Sequence, residues 1–283
     1  MPVRPKTALI GALASAAMLV LVWLLAFHTA IGTHADQAIF IGFGGLQRHH
    51  VNAIASFVAT LCDPAPFVII GTCLVALALA RRRPRSALAI TVLLIGANVT
   101  TQLLKVALAH PRAHSLIGSH ITVSPASWPS GHATAAMSLA LALVLAVPAR
   151  TRPVAAAFGA VFAVGVSYSF LTLGWHYPSD VLGGFLIAVI WAQLALAAVF
   201  VGDGRPLRRP EAPVRPAVSL RSALTPAVVT LFGAGVLAAL IALARPHQFL
   251  SYANGHTAFI FGAAVIGAAG LALATAVMLS VRR

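Results

Sequence analysis

The sequence predicts an all-α fold, a polytopic bundle of membrane-spanning helices. Three observations carry this. Of the 283 residues, 60% are hydrophobic and only 8% are charged, whereas a soluble domain carries about 25% charged residues. The apolar residues fall in runs long enough to cross a bilayer, which takes about 20 residues per helix. The basic residues sit in short bursts between those runs, as in the cytoplasmic loops of membrane proteins. A water-facing surface cannot be built from this composition, so the bilayer is the solvent for most of the chain.

The elements follow in order. Met1 to Lys6 and the apolar stretch after them resemble a signal peptide, but Ala8 to Phe27 is too long for a signal core and suits a spanning helix. It reads as a retained signal anchor, with Thr33-His34-Ala35 as the alternative, a cleavage site. Spans are expected at 8–30, 64–80, 86–109, 131–149, 153–173, 178–201, 224–244 and 257–280. Segment 38–61 is apolar but interrupted by Gln47, Arg48, His49 and His50. It reads as an interfacial or re-entrant piece, because a further crossing would invert everything downstream. Residues 203–222 are rich in Pro and Arg, a semi-rigid linker between residues 1–202 and a C-terminal two-helix transmembrane hairpin at 223–283.

The charge distribution sets the expected orientation. With the N-terminus inside, fifteen of the 19 Lys and Arg residues are cytoplasmic, and Arg48, Lys105, Arg112 and Arg245 are outside. That bias follows the positive-inside rule and places both termini in the cytoplasm. All 11 histidines then fall near or beyond the outer helix ends. The net charge of +14 would suit nucleic acid on a soluble domain. Spread over membrane loops it does not, and no nucleic-acid partner is expected. Cys62 and Cys73 show neither disulfide nor zinc spacing.

Three outer-face segments carry chemistry. At the end of the third span, Asn98, Thr101, Gln102 and Lys105 recur at helical spacing. Polar faces in the membrane point to the protein interior or a cavity, and Pro111 can turn Arg112 toward the same place. The plain alternative is a Lys105 that snorkels to the interface. Next, Pro129-Ser130-Gly131-His132 opens a helix. Its free N–H groups and positive dipole end suit phosphate, Gly131 lets a ligand approach the backbone, and Ser130 can cap. By itself this tetrapeptide would also serve as an ordinary N-cap beside an interfacial histidine. Last comes Gly174-Trp175-His176-Tyr177-Pro178-Ser179-Asp180, with Pro178 suited to a first helical turn. His176 and Asp180 are four residues apart, so the carboxylate can hold one imidazole nitrogen and leave the other as a nucleophile. The alternative use of Asp180 is to complement the helix dipole.

Together these blocks resemble the type-2 phosphatidic acid phosphatase (PAP2) superfamily, whose pattern is Lys-x6-Arg-Pro, Pro-Ser-Gly-His and Ser-Arg-x5-His-x3-Asp. Here they read Lys105-x6-Arg112, Pro129-Ser130-Gly131-His132 and Ser169-Phe170-x5-His176-x3-Asp180. The resemblance spans roughly residues 8–201 and implies a six-helix core. It implies that His176 attacks phosphorus, that Asp180 orients it, and that His132 protonates the leaving oxygen. Lys105, Arg112, Ser130 and Gly131 would hold the phosphate oxygens. No cofactor is implied and no metal, and the five acids are scattered along the chain. The implied partner is a lipid phosphate in the membrane: a polyprenyl diphosphate, phosphatidic acid, phosphatidylglycerol phosphate or a polyprenyl-phosphoryl sugar phosphate. Transfer of the phosphoryl or headgroup to a second lipid is the related alternative.

Two positions depart from the pattern. Ala113 replaces a proline, and Phe170 replaces the arginine of the third block. Arg supplies charge-assisted, often bidentate hydrogen bonds to phosphate, which Phe cannot. A non-catalytic lipid-phosphate-binding protein is therefore the contrasting expectation. Arg48 or Arg245 could supply the missing cation, Arg245 from the C-terminal hairpin with Phe170 lining a lipid entrance; the plain alternative is an Arg245 that marks the membrane interface.

The orientation has a direct test. In intact cells, a membrane-impermeant thiol reagent labels Ser119→Cys and spares Thr151→Cys. The reverse pattern would sink the assignment.

Overall fold

A computed structural model describes residues 5–110, 123–200, 224–231, 233 and 246–282. The regular elements among them are all helices: α1 (Pro5–His28), α2 (Ala30–Gly44), α3 (His49–Thr60), α4 (Pro64–Ala80), α5 (Pro84–Ala107), α6 (Gly131–Ala146), α7 (Arg152–Thr172), α8 (Pro178–Phe200), α9 (Pro246–Gly255) and α10 (Thr257–Arg282). Residues 224–231 are also helical; apart from residue 233, the rest of the span expected at 224–244, and all of the linker at 203–222, lie outside the described residues. Proline begins α4, α5 and α8, where its missing N–H costs nothing and its fixed φ favours the first turn. The turn from α7 into α8 needs a positive φ, which Gly174 supplies at 75°.

Apart from the polar stripe near the end of α5, the long helices are apolar on every side, so polarity does not decide which face turns inward. Residue size does. Lipid tails are as apolar as leucine, and helices associate in lipid through close packing of small residues. On α1 the buried positions are Ala8, Ala12, Ser15 and Ala26, while Ile10 and Leu13 are 66% and 70% exposed. On α6 all but three of 16 residues are buried, six of them alanine. α6 is the central helix, in contact with α4, α5, α7, α8 and α10.

This centrality revises the expected spans. Among the described residues, α1, α5, α7, α8 and α10 are long and apolar enough to cross a membrane by themselves. α4 and α6 have only 17 and 16 residues. At 1.5 Å per residue α6 is about 24 Å long, short of the ~30 Å hydrocarbon core. Surrounded by other helices, it does not need to match the lipid. The chain is a multi-pass membrane protein.

The stretch expected at 38–61 is two helices rather than one piece, and the first begins at Ala30. α3 meets α4 at a 50° bend. Gln47, just before α3, donates from Nε2 to the carbonyl of Thr172 at the end of α7, 2.7 Å away. Asp63, just after α3, contacts His132 at the start of α6, 3.1 Å away. The end of α7 and the start of α6 lie at the same end of the bundle, so α3 adds no crossing.

Arg152, expected in a cytoplasmic loop, is 2% exposed. Its Nη1 donates to the carbonyl of Val281 at 3.4 Å. The last carbonyls of a helix lack intrahelical partners and favour a cation, and α10 ends here. α10 packs on α2, α6, α7 and α8, burying Ile266, Ala274, Val277, Met278 and Val281.

Close approach of α8 to α6 depends on Gly184. A Cβ there would stand 2.7 Å from the Ser130 carbonyl oxygen and 2.9 Å from both Ala133 Cβ and the Thr134 nitrogen. None of these atoms can swing away. Gly184→Ala should lower the thermal midpoint in detergent by several degrees. Overpacking against backbone costs ~1–3 kcal/mol, more than the helix-propensity gain of up to ~1 kcal/mol. Gly165→Ala, at a site with no atom within 4 Å, should be neutral or stabilising. Equal midpoints for the two variants would refute this account of the junction.

Candidate active site

The chemistry-bearing segments meet at one end of the bundle. α5 runs toward this end and α6 away from it; α7 returns and α8 leaves again. The C-terminal ends of α5 and α7 therefore face the N-terminal ends of α6 and α8. Backbone atoms join the latter two, since the Ser130 N–H donates to the Asp180 carbonyl at 3.0 Å.

The polar stripe of α5 faces inward. Thr101 Oγ1 pairs with Thr134 Oγ1 of α6 at 3.0 Å. Asn98, Gln102 and Lys105 line a cleft of about 320 Å³ with Asp63, Gly131 and His132. Cys62, Pro64, Phe67, Val68 and Ala135 make its apolar wall. A Cβ on Gly131 would lie 3.6 Å from Gln102 Nε2 and 3.7 Å from Lys105 Nζ. The ammonium thus stands directly over the first turn of α6. A cation opposes the positive end of a helix dipole, so the pair is at ease only with an anion between them. This is a phosphate-shaped electrostatic arrangement.

Ser130 caps α6 and is fully buried. Its Oγ accepts from the Ala133 N–H at 3.3 Å, and it is not part of the cleft wall. Lys105, Gly131 and His132 share the cleft; Arg112 lies outside the described residues, as does Arg245.

His176 and Asp180 form a second group beside the first. His176 Nδ1 lies 3.3 Å from Asp180 Oδ2, and the same oxygen accepts the Tyr177 N–H at 2.9 Å. His176 is 7% exposed and Asp180 fully buried. Lys105 lies within Coulomb range of Asp180, and His132 within range of His176 and Lys105. Both groups touch Phe170, whose ring centroid is 5.9 Å from that of His132 and 5.2 Å from that of His176. Phe170 is fully buried, which corrects the expectation that it lines a lipid entrance. It packs against both imidazoles because the turn after α7 folds back, with the Trp175 N–H donating to the Phe170 carbonyl at 3.0 Å. Arg48 is occupied nearby, donating to the carbonyls of Gly45 and Gln47.

The family model of the PAP2 superfamily matches this part of the chain. Residues 86–202 match the PAP2 superfamily. That stretch holds α5 through α8 and all three blocks. Among solved structures, the PAP2 match extends to a crystal structure described as the first transmembrane PAP2 type phosphatidylglycerolphosphate phosphatase from Bacillus subtilis. The two share 22% sequence identity at a TM-score of 0.54, over 70% of this chain and 99% of that one. The likeness is one of fold. No curated protein sequence matches the chain. Within the PAP2 segment, Phe170 is therefore a departure at the centre of the block geometry rather than at its edge.

Several residues here were not singled out from the sequence. Asp63 contacts His132 across 69 residues of chain. Trp175, 44% exposed, places its ring 5.8 Å from His132. Asp36 of α2 is buried and accepts the Ser179 N–H at 2.9 Å, together with a short bond from the Ser179 hydroxyl. It thereby caps α8 from another helix and holds the turn that carries His176. Local pattern offers no signal for this, since Asp36 and Ser179 are 143 residues apart.

Removing that cap should show in both stability and activity. Hydrogen bonds to a charged group contribute ~1.5–3 kcal/mol. Asp36→Ala is expected to destabilise the chain by about that much and to lower phosphatase activity, while Asp36→Asn keeps part of both. Equal stability of the parent and Asp36→Ala in a detergent melt would contradict the assignment.

Proposed function

We propose that the chain hydrolyses a lipid phosphate at the outer face of the membrane through a phosphohistidine, without a metal. The observation that carries this reading is the carboxylate-held His176 beside a cleft where Lys105 stands over the N-terminus of α6. Asp180 holds Nδ1 of His176, so Nε2 is the nucleophile. Its lone pair forms the N–P bond while the P–O bond to the lipid alcohol breaks, and the departing oxygen takes a proton from His132. Water then attacks phosphorus, His132 takes its proton, and the N–P electron pair returns to His176. Lys105 and the first N–H groups of α6 neutralise the phosphoryl oxygens, which is the main task in phosphoryl transfer. Arg112 is assigned to the same task by its place in the first block.

The wall of the cleft supports an amphiphilic substrate. Phe67 and Val68 line it, and Val68 and Ile69 of α4 are 60% and 63% exposed on the outside of the bundle. A headgroup can enter while its tail stays among lipids. The Bacillus subtilis protein of similar fold is described as a phosphatidylglycerolphosphate phosphatase, and phosphatidylglycerol phosphate is one candidate beside phosphatidic acid and polyprenyl phosphates. A second lipid in place of water would make the same site a phosphotransferase. Phe170 favours one further reading, a lipid-phosphate binder without turnover, because an apolar ring stands where the family has a phosphate-binding arginine.

Purified protein separates these readings. Phosphate release from lipid phosphates, with an acid-labile phosphoryl adduct in single turnover, is expected of the parent and not of His176→Ala. An adduct that persists in His176→Ala sinks the nucleophile assignment. Tight lipid-phosphate binding with no release sinks the enzyme.

A further inference from the structure

The residue Asp63 has an odd position. It is the N-cap of α4, where an aspartate ordinarily accepts from the helix's first free N–H groups. Here it makes no such bond. The sequence Asp63-Pro64-Ala65-Pro66 removes the N–H at the first and third helical positions. The carboxylate instead turns into the cleft, where Oδ1 lies 3.1 Å from Nε2 of His132. Asp63 sits at the 50° bend between α3 and α4, in a turn closed by hydrogen bonds from the Cys62 and Asp63 N–H groups to Ala59 and Thr60 carbonyls. Its backbone is therefore held in place while its side chain serves another helix.

We propose that Asp63 is the positioning residue for the acid–base histidine, making Asp63–His132 a second carboxylate–imidazole pair beside Asp180–His176. The proposal rests on the phosphatase reading above. The two pairs use opposite ring nitrogens. Asp180 holds Nδ1 of His176 and leaves Nε2 to attack; Asp63 holds Nε2 of His132 and leaves Nδ1 for the leaving oxygen. When the lipid alcohol departs, its oxygen takes the Nδ1 proton, and the Nε2–H stays hydrogen-bonded to Asp63. When water attacks, its proton returns to Nδ1. Asp63 neither gains nor loses a proton; it fixes the tautomer and the ring direction, and it stabilises the imidazolium in both steps.

Among the described residues, the other charged and titratable groups facing His132 are Lys105 of α5 and His176. Both disfavour a proton on His132. The family's arginine at position 170 would have been a third cation, directly against the imidazole ring. With Phe170 there, Asp63 is, among the described residues, the group facing His132 that draws a proton onto it. The departure at Phe170 and the presence of Asp63 thus act in one direction: the first takes a cation away from the imidazole and the second sets a carboxylate beside it.

The test varies the leaving group. A lipid alkoxide needs a proton to depart, whereas a nitrophenolate does not. Asp63→Asn should reduce kcat on phosphatidic acid in mixed micelles by about 100-fold or more, the usual scale of general acid catalysis, with KM unchanged. On an alkyl-tailed nitrophenyl phosphate its kcat/KM should stay close to that of the parent, which also shows that the variant folds. Equal losses on both substrates would make Asp63 a structural or phosphate-binding residue and overturn the proposal. So would undiminished turnover of the lipid. A parent chain inert toward both substrates overturns the phosphatase reading itself, whatever the Asp63 variant does.

Discussion

The junction between the N-termini of α6 and α8 is the contact on which the site depends. It is made by backbone, not by side chains: the Ser130 N–H reaches the Asp180 carbonyl, and Gly184 lets α8 press against Ser130 and Thr134. Two helix starts are thereby locked side by side, and each carries one histidine in its first residues or in the turn before it. Spacing of reacting groups is the largest lever a catalyst has without new chemistry. A junction built from hydrogen-bonded backbone and glycine holds that spacing more firmly than flexible side chains would. Asp36 extends the same logic by anchoring Ser179 from α2.

The membrane makes this construction necessary. Inside lipid there is no hydrophobic gain from bringing apolar helices together, so shape and internal hydrogen bonds must hold them. The chain meets that demand with alanine and glycine inside and large residues outside. Trp191 illustrates it: its ring packs where Gly96 lacks a side chain, and its Nε1 donates to Thr100 at 2.9 Å. The short α6, enclosed by other helices, opens its first turn into a cleft.

Electrostatics at that turn follow from the packing. Lys105 and the α6 dipole place positive potential where Asp180 and Asp63 place negative charge close by. Phe170, buried against both imidazoles, lowers the number of cations and restricts where an anion can sit. The site is thus more balanced in charge than the arginine-bearing pattern would make it, and the acids near each histidine matter more.

By itself the sequence determined the membrane class, the helix starts at Pro64 and Pro178, and the inward face of Asn98, Gln102 and Lys105. It also determined the spacing that joins His176 to Asp180. These are local properties: composition, proline geometry and one-turn periodicity are readable within a few residues. Only the tertiary structure decided that Asp63 serves His132 rather than its own helix, that Arg152 is buried against the end of α10, that α6 is enclosed, and that Phe170 packs against both histidines. Each of these joins residues far apart in the chain. Helices that are apolar all round carry no stripe to announce their neighbours, so the pairing emerges only when small residues have sorted which faces can meet.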